Sequence, residues 1–361
     1  MSNVVSILLI VSILISVGLI LIASFDVTAQ MNLFGNTARD LLYSHVVKLI
    51  IGAFLMTVAM IVDYKIHIKL AQFYYFLSLG LLLIPFFLPK INGTSRWISL
   101  PGFSFQPSEL AKIVLIISLS VYISQNKEQM KTFYTGFLKP LLLSLPFLAL
   151  IVLEPDLSTS VVLLLLVLMM LYSHGARGAY IFMTVLLLFA IFYLALNNGF
   201  FLKDYQLWRL RTFLEGDHPE QVSKAIQALR EGGLVGKGVG LGEVKLAVPA
   251  VVSDFILAAA GEEFGMIGII AITLLFFLLV SIMLRLAEKL QDTFATAYIT
   301  GFSFLIILQV LINLGVVTGA LPVTGVTLPF LSYGGSSIIT MLLGLGVVIN
   351  ILTHSNGSER S

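Results

Sequence analysis

The chain is predicted to fold as an all-α polytopic membrane protein, with ten transmembrane helices and one long extracytoplasmic loop between the seventh and the eighth. Three observations predict this. First, 58% of its 361 residues are hydrophobic and only 11% are charged, where a soluble domain carries about 25% charge. Such a chain has too little polar surface to enclose its own core. Second, the apolar residues fall into separate runs near the roughly 20 residues that cross the hydrocarbon. Third, Lys and Arg are distributed unequally between alternate short loops, as membrane orientation requires. A net charge of +2 gives no reason to expect a nucleic-acid partner. The absence of cysteine excludes a disulfide framework and a thiolate metal site.

In chain order the expected spans are residues 4–24, 46–62, 71–88, 109–124, 139–153, 158–173, 178–198, 255–284, 296–318 and 330–353. The first run, Val4 to Ala23, lacks a basic leader and a small-residue cleavage site, so it reads as a retained span. The fifth and sixth runs are separated by Glu154-Pro155-Asp156, because proline breaks the helical ladder and two acids do not belong at mid-membrane. With the N-terminus inside, cytoplasmic segments hold Lys65, Lys69, Lys127, Lys131, Lys139, Arg177, Arg285, Lys289 and Arg360. The short outer loops hold Arg39, Lys48, Lys90 and Arg96. Nine against four favours both termini in the cytoplasm. Residues 1–361 read as one integral membrane domain, with 199–253 as the large outer loop and 354–361 as a short cytoplasmic tail.

The long loop holds seven of the 21 basic residues and has internal order. Asp217-His218-Pro219-Glu220 has the pattern of an N-cap, a first-turn proline and a capping acid. Val222, Ala225, Ile226 and Leu229 then form an apolar helical face, which Gly232 and Gly233 terminate. This predicts an amphipathic helix, lying on the membrane surface or folded onto the bundle. GGLVGKGVGLG, Gly232 to Gly242, is no Walker motif: Glu231 occupies the first glycine position and Gly238 follows Lys237. Two readings stay open, a flexible linker and a backbone nest that meets an anionic ligand together with Lys237. Arg209 and Arg211, in LWRLRTFLEGD, either snorkel to headgroups or clamp a phosphate. Lys245, in GEVKLAVP, has the same two readings.

Three further motifs concentrate polar residues in outer loops. NGTSRWISLPGFSFQPSELAK places Trp97 at the membrane interface, Ser108 as an N-cap, and Glu109 three residues before Lys112 for pairing. In EPDLSTS, Asp156 or Ser158 caps the following helix, which leaves Glu154 unexplained. In VTLPFLSYGGSS, Gly334 and Gly335 permit close packing, and Ser336 and Ser337 can hydrogen-bond between helices. The five histidines, His45, His67, His174, His218 and His354, show no metal-ligand spacing.

VPAVVSDFILAAAGEEFG carries three acids. On one continuous helix Glu262 lies about 12 Å above Asp254 and about 80° around, with Glu263 on nearly the opposite side. They therefore cannot flank one bond as glycosidase carboxylates do. Asp254 stands at the boundary of loop and span, as a cap or as a general base. Glu262 and Glu263 lie deeper and need partners, for which the outer-loop arginines or Lys112 are candidates.

The order RWI…QPSELAK, EPDLST, GGLVGKGVGLG, SDFILAAAGEEFG and LPVTGVTLPFLSYGGSS resembles the SEDS family (shape, elongation, division and sporulation), which includes RodA and FtsW. ALREGGLVGKGVGLGEVKL and AAAGEEFG are more similar to FtsW. The resemblance runs from about residue 5 to 352. It implies ten spans with cytoplasmic termini in the bacterial inner membrane. It also implies a peptidoglycan glycosyltransferase that polymerises lipid II for septal or lateral wall synthesis. The implied partners are a class B penicillin-binding protein and other divisome or elongasome membrane proteins. The family's essential aspartate falls on Asp254. Members often carry Pro-Glu and His before it, where this chain reads Pro249-Ala250-Val251-Val252-Ser253. On this reading Asp254 is the base, and Arg96, Arg209, Arg211, Lys237 and Lys245 are candidates for the pyrophosphate. Glu109, Lys112, Glu154, Asp156, Glu262, Glu263 and Ser336 support the site. A divalent cation, Mg or Mn, could assist, although the sequence shows no dedicated ligand cage. The rival readings are a lipid flippase or transporter and a non-enzymatic division scaffold. Against transport, no inverted repeat is visible and the polar motifs gather at one face.

Overall fold

The computed structural model describes residues 2–31, 37–89, 95–100, 103–198 and 204–355. Lys90, Arg360, the first residues of the long loop and the tail beyond residue 355 lie outside them. The elements in order are α1 (Ser2–Met31), α2 (Thr37–Ile61), α3 (Tyr64–Leu83), a short hairpin of β1 (Ile98–Leu100) and β2 (Phe103–Phe105), α4 (Pro107–Gln125), α5 (Lys139–Leu153), α6 (Leu157–Ser173), α7 (Gly178–Asn198), α8 (Asp204–Leu214), α9 (Glu220–Gly232), α10 (Ile256–Ala287), α11 (Thr293–Val317) and α12 (Gly335–Ser355). Eight of these helices, α1 to α5 and α10 to α12, are long and apolar enough to cross a membrane, counting the turns that extend α3 and α5. The other two expected spans are present as shorter apolar helices, Leu157–Ser173 and Gly178–Ala190. The protein is a multi-pass, all-α membrane protein.

The starts of the helices follow local chemistry. Asp63 accepts a hydrogen bond from the Lys65 amide at the head of α3, and Asp292 accepts from Phe294 at the head of α11. Asp156 caps α6 by accepting from the Thr159 amide at 3.2 Å, as its sequence position predicts. Ser108 does not cap α4. Pro107 already occupies the first helical position, so Ser108 lies inside the first turn and its buried hydroxyl has no partner. The hairpin before α4 pairs Ile98 with Phe105 and was not legible in the sequence.

At the centre, α12 packs against α2 and α4, and α11 packs against α10, α4 and α6. Buried residues run almost continuously from Pro107 to Ser120 along α4, as expected of a helix enclosed on all sides. By contrast α7 keeps Phe182, Leu186, Phe189 and Tyr193 exposed. The helix predicted in the long loop is α9. Val222, Ala225 and Ala228 are buried, and α9 packs on α10 rather than lying on the membrane surface.

The apolar run expected as one span, 255–284, is broken. Gly265 has φ 68° and ψ −169°, which interrupts α10. The glycine stretch inserts at that break. Met266 and Ile267 donate to the carbonyls of Gly233 and Leu234, at 2.9 and 3.1 Å. In return Lys237 and Gly238 donate to the carbonyls of Glu262 and Glu263, at 2.9 and 3.0 Å. Irregular backbone in an apolar span survives only when its polar groups find partners within the protein, and these four hydrogen bonds supply them across the break. Gly236 has a positive φ, and a Cβ there would stand 2.1 Å from the Glu263 carbonyl oxygen. GGLVGKGVGLG is therefore an ordered clasp. It is neither a flexible linker nor a nest left open for an external anion.

Candidate functional site

Asp254 sits in a tight turn just before α10. The amides of Ser253 and Asp254 both donate to the carbonyl of Ala250, at 3.0 and 3.1 Å. The segment 326–333 grips this turn from the other side. The Tyr333 amide donates to the Val252 carbonyl at 2.7 Å, and the Ser332 hydroxyl donates to the Ser253 carbonyl at 2.5 Å. From α11, the Asn313 side chain donates to the carbonyls of Asp254 and Val326, both at 2.7 Å. The backbone of Asp254 is thus fixed from three directions, while its half-buried side chain lines a cavity of about 520 Å³. Burial pushes its carboxyl up to about 6. The nearby Asp156 charge adds to this, and a hydrogen bond from Ser253 and the charge of Arg209 oppose it.

The same cavity is lined by Lys48, Arg96, Gln106, Glu109, Lys112, Asp156, Gln309 and Ser336. Arg96 is held by the EPD turn: Nε donates to the Glu154 carbonyl at 3.0 Å, another guanidinium nitrogen donates to the Pro155 carbonyl, and Nη1 lies 3.7 Å from Asp156 Oδ2. Lys112 pairs with Glu109 at 2.8 Å, as their spacing predicts, and both are buried. Ser336 accepts from the Gln106 amide at 2.8 Å, tying the head of α12 to the entrance of α4. Of the residues singled out in the sequence, Asp254, Arg96, Asp156, Glu109, Lys112 and Ser336 are brought together here.

The others are placed elsewhere. Arg209 acts on Asp254 through its charge without lining the cavity, and Arg211 is exposed on α8. Glu154 is fully buried behind the Arg96 turn, and neither carboxyl oxygen has a hydrogen-bond partner. Burial and the neighbouring Asp156 push it up to about 8, against the charge of Arg96.

Lys237 and Lys245 depart from the sequence expectation: neither lines the cavity. Lys245 is completely buried, pairs with Glu263, and donates to the Ser24 hydroxyl at 2.6 Å. Lys237 pairs with Glu231 and lies 3.3 Å from Glu262. Glu262 also accepts from the amides of Val244 and Lys245, at 3.0 and 2.7 Å. The partners of the two deep acids are therefore lysines of the adjoining loop, not the outer-loop arginines or Lys112. A buried carboxylate must be paired and hydrogen-bonded, and the glycine clasp brings these cations against α10.

Sequence reasoning missed Lys48, Gln309 and Asn313. Gln309 and Asn313 carried a signal, since polar residues at i and i+4 in an apolar span share one helix face. In the sequence Lys48 stands only as a charge near the start of a span. Among the described residues, no three His, Cys, Asp or Glu side chains gather where they could hold a metal ion.

Residues 5–357 match the cell cycle protein family of FtsW, RodA and SpoVE. The chain is 38% identical over 320 residues to the probable peptidoglycan glycosyltransferase FtsW of Geobacter sp. (strain M18), covering 86% of each chain. It is 34% identical over 356 residues to stage V sporulation protein E of Bacillus subtilis (strain 168), covering 95% of this chain and 94% of that one. Its fold is similar to the crystal structure of the rod shape determining protein RodA of Thermus thermophilus, with a TM-score of 0.71, 27% identity, and coverage of 97% and 96%. A TM-score of 0.77, at 28% identity and 97% coverage of each chain, relates it to a chain solved in a study of how a peptidoglycan synthase complex coordinates polymerization and crosslinking.

Proposed function

This chain belongs to the FtsW, RodA and SpoVE family of cell cycle proteins, and from that premise we propose that it is a peptidoglycan glycosyltransferase that polymerises lipid II, with Asp254 as general base. The observation that carries the reading is the position of Asp254: a carboxylate with a hydrogen-bonded backbone and a raised pKa, lining a cavity that Arg96 and Asp156 also line.

In the reaction, the 4-hydroxyl of the acceptor sugar gives its proton to Asp254 as its oxygen bonds to the anomeric carbon of the donor. The bond from that carbon to the diphosphate breaks, and polyprenyl diphosphate leaves with the electron pair. A base poised near the working pH is the effective kind. Charge develops on the leaving diphosphate, where fixed cations stabilise it. Arg96, on the cavity wall, and Arg209, near Asp254, are the arginines placed to contribute. A divalent cation would find Asp254 and Asp156 in the cavity, but Asp156 is already engaged by Arg96 and the Thr159 amide. The protein's own cations are the better supported source of charge. Glu109, Lys112 and Ser336 line the cavity, and the pairs of Lys237 with Glu262 and Lys245 with Glu263 hold the glycine clasp against α10.

The family resemblance supports a placement in the bacterial inner membrane with both termini cytoplasmic, and, with the neighbour from a peptidoglycan synthase complex, a class B penicillin-binding protein as the cross-linking partner among other divisome or elongasome proteins. Incubation of the purified protein and its partner with lipid II in detergent tests the function. Glycan polymer is the expected product. With no bilayer to cross, polymer formed in detergent distinguishes this reading from a flippase or a scaffold, and its absence would overturn the reading.

A further inference from the structure

Three cations line the cavity among the described residues: Lys48, Arg96 and Lys112. Arg96 faces Asp156, and Lys112 is paired with Glu109. Lys48 differs. It projects from α2, is only 8% exposed, and has no carboxylate partner among the described residues. Its ammonium donates to the Tyr333 hydroxyl at 3.2 Å and stands 4.7 Å from the centre of that ring. A buried ammonium without a counter-ion is costly, and a phenol neutralises none of its charge.

Its placement makes the cost greater. Lys48 lies across the start of α12: a Cβ built on Gly335 would stand 2.9 Å from its Cδ and Cε and 3.2 Å from its Nζ. The first-turn amides of a helix have no intrahelical acceptor, and the N-terminus carries a partial positive charge. A cation there has the wrong sign for the helix. Tyr333, Gly334, Gly335, Ser336 and Ser337 all line the cavity, so the amide end of α12 and the ammonium converge on the same space. Two independent positive features, one of them a buried charge without a counter-ion, are relieved together by an anion bound between them.

We propose that Lys48 and the N-terminus of α12 form the subsite for a phosphoryl anion, the diphosphate of the lipid-linked donor. The inference rests on the glycosyltransferase reading for the identity of the donor, but the anion site itself stands on geometry. It gives the cavity a division of labour. Asp254 activates the acceptor from the turn before α10, and Lys48 with α12 holds the leaving group. The glycine at position 335 leaves room for the lysine stem to cross the helix.

The test is equilibrium binding of farnesyl diphosphate to the purified full chain in neutral-lipid nanodiscs. Farnesyl monophosphate and added phosphatidylglycerol serve as competitors. Lys48→Met keeps the stem and removes the charge, and is expected to weaken farnesyl diphosphate binding by about tenfold, the size of one charge-assisted contact. Lys48→Arg should restore most of the affinity. Tyr333→Phe, which preserves the ring and removes the hydroxyl that positions the ammonium beside the head of α12, should weaken binding by a smaller factor and serves as the test if Lys48→Met fails to fold. Unchanged affinity in the variants would overturn the subsite. Competition by phosphatidylglycerol as strong as by farnesyl monophosphate would assign the site to bilayer headgroups and overturn the donor assignment. The binding measurement needs no turnover, so an inactive wild-type protein would count against the enzymatic reading alone.

Discussion

Asn313 donates its side-chain amide to the backbone carbonyl of Asp254 at 2.7 Å, and to that of Val326 at the same distance. One α11 side chain thereby ties the turn carrying the proposed base to the loop that closes the cavity. Asn313→Ala removes the donor from a buried carbonyl, that of Val326, at a cost of about 1–3 kcal/mol, and from the half-buried carbonyl of Asp254 at a smaller cost. The expected result in steady-state polymerisation is a fall in kcat larger than any rise in KM, because the base is displaced while the cavity walls remain. A change confined to KM would remove Asn313 from the positioning of Asp254.

Asp254 must be ionised to accept a proton, and its carboxyl is pushed up to about 6. The initial polymerisation rate at low lipid II should therefore rise about tenfold per pH unit below 6 and level off above about 7, as for a single base. Asp254→Asn should abolish polymer at every pH while leaving expression and partner binding intact. A wild-type pH profile that is flat between 5 and 7 would argue against this base.

Glu154 moves the opposite quantity. Its folded-state pKa is raised to about 8 from an ordinary 4.5, so between these values the folded protein binds the extra proton. Stability tied to the neutral carboxyl is present below 4.5 and is lost as pH rises through 8. Glu154→Gln, which is neutral at all pH, should raise the thermal midpoint in detergent at pH 8.5 relative to wild type and leave it nearly unchanged at pH 5. Equal midpoints at pH 8.5 would mean that Glu154 is not held neutral.

Lys245 and Glu263 are both fully buried and paired across the clasp. Removing one partner of a buried pair costs about 3–5 kcal/mol, whereas replacing both with apolar residues costs far less. Lys245→Met should lower the unfolding midpoint strongly, and Lys245→Met with Glu263→Leu should recover part of that loss. Equal and independent effects of the two single substitutions, adding in the double, would exclude a coupled pair.

Two glycines of the same stretch should behave differently. Both Gly236 and Gly240 have positive φ, so alanine at either position carries a backbone penalty of about 1–2 kcal/mol. At Gly240 nothing lies within 4 Å of the new Cβ, whereas at Gly236 it meets the Glu263 carbonyl. Gly236→Ala should therefore destabilise the protein well beyond Gly240→Ala in thermal unfolding. Equal effects would mean that the clasp does not insert at the Gly265 break.

The helical plan was legible because it is local. Apolar runs of membrane length, Pro155 between α5 and α6, and Asp156 before α6 each encode an element within a few residues, and the structure places helices on all ten expected runs. Asp254 stood out because a carboxylate at the edge of an apolar run is costly and therefore conspicuous. The composition also settled the multi-pass class, since so few charges cannot cover a soluble core. Partnerships were decided only by the tertiary structure. Lys245 reaches Glu263 across eighteen residues and Ser24 across 221, through the break at Gly265. Lys48 reaches the head of α12 from a helix nearly 300 positions away in the chain. A charge in a sequence states that a partner is needed. Which atom answers depends on how the helices pack, because Coulomb and hydrogen-bond energies fall off over a few ångströms whatever the separation along the chain.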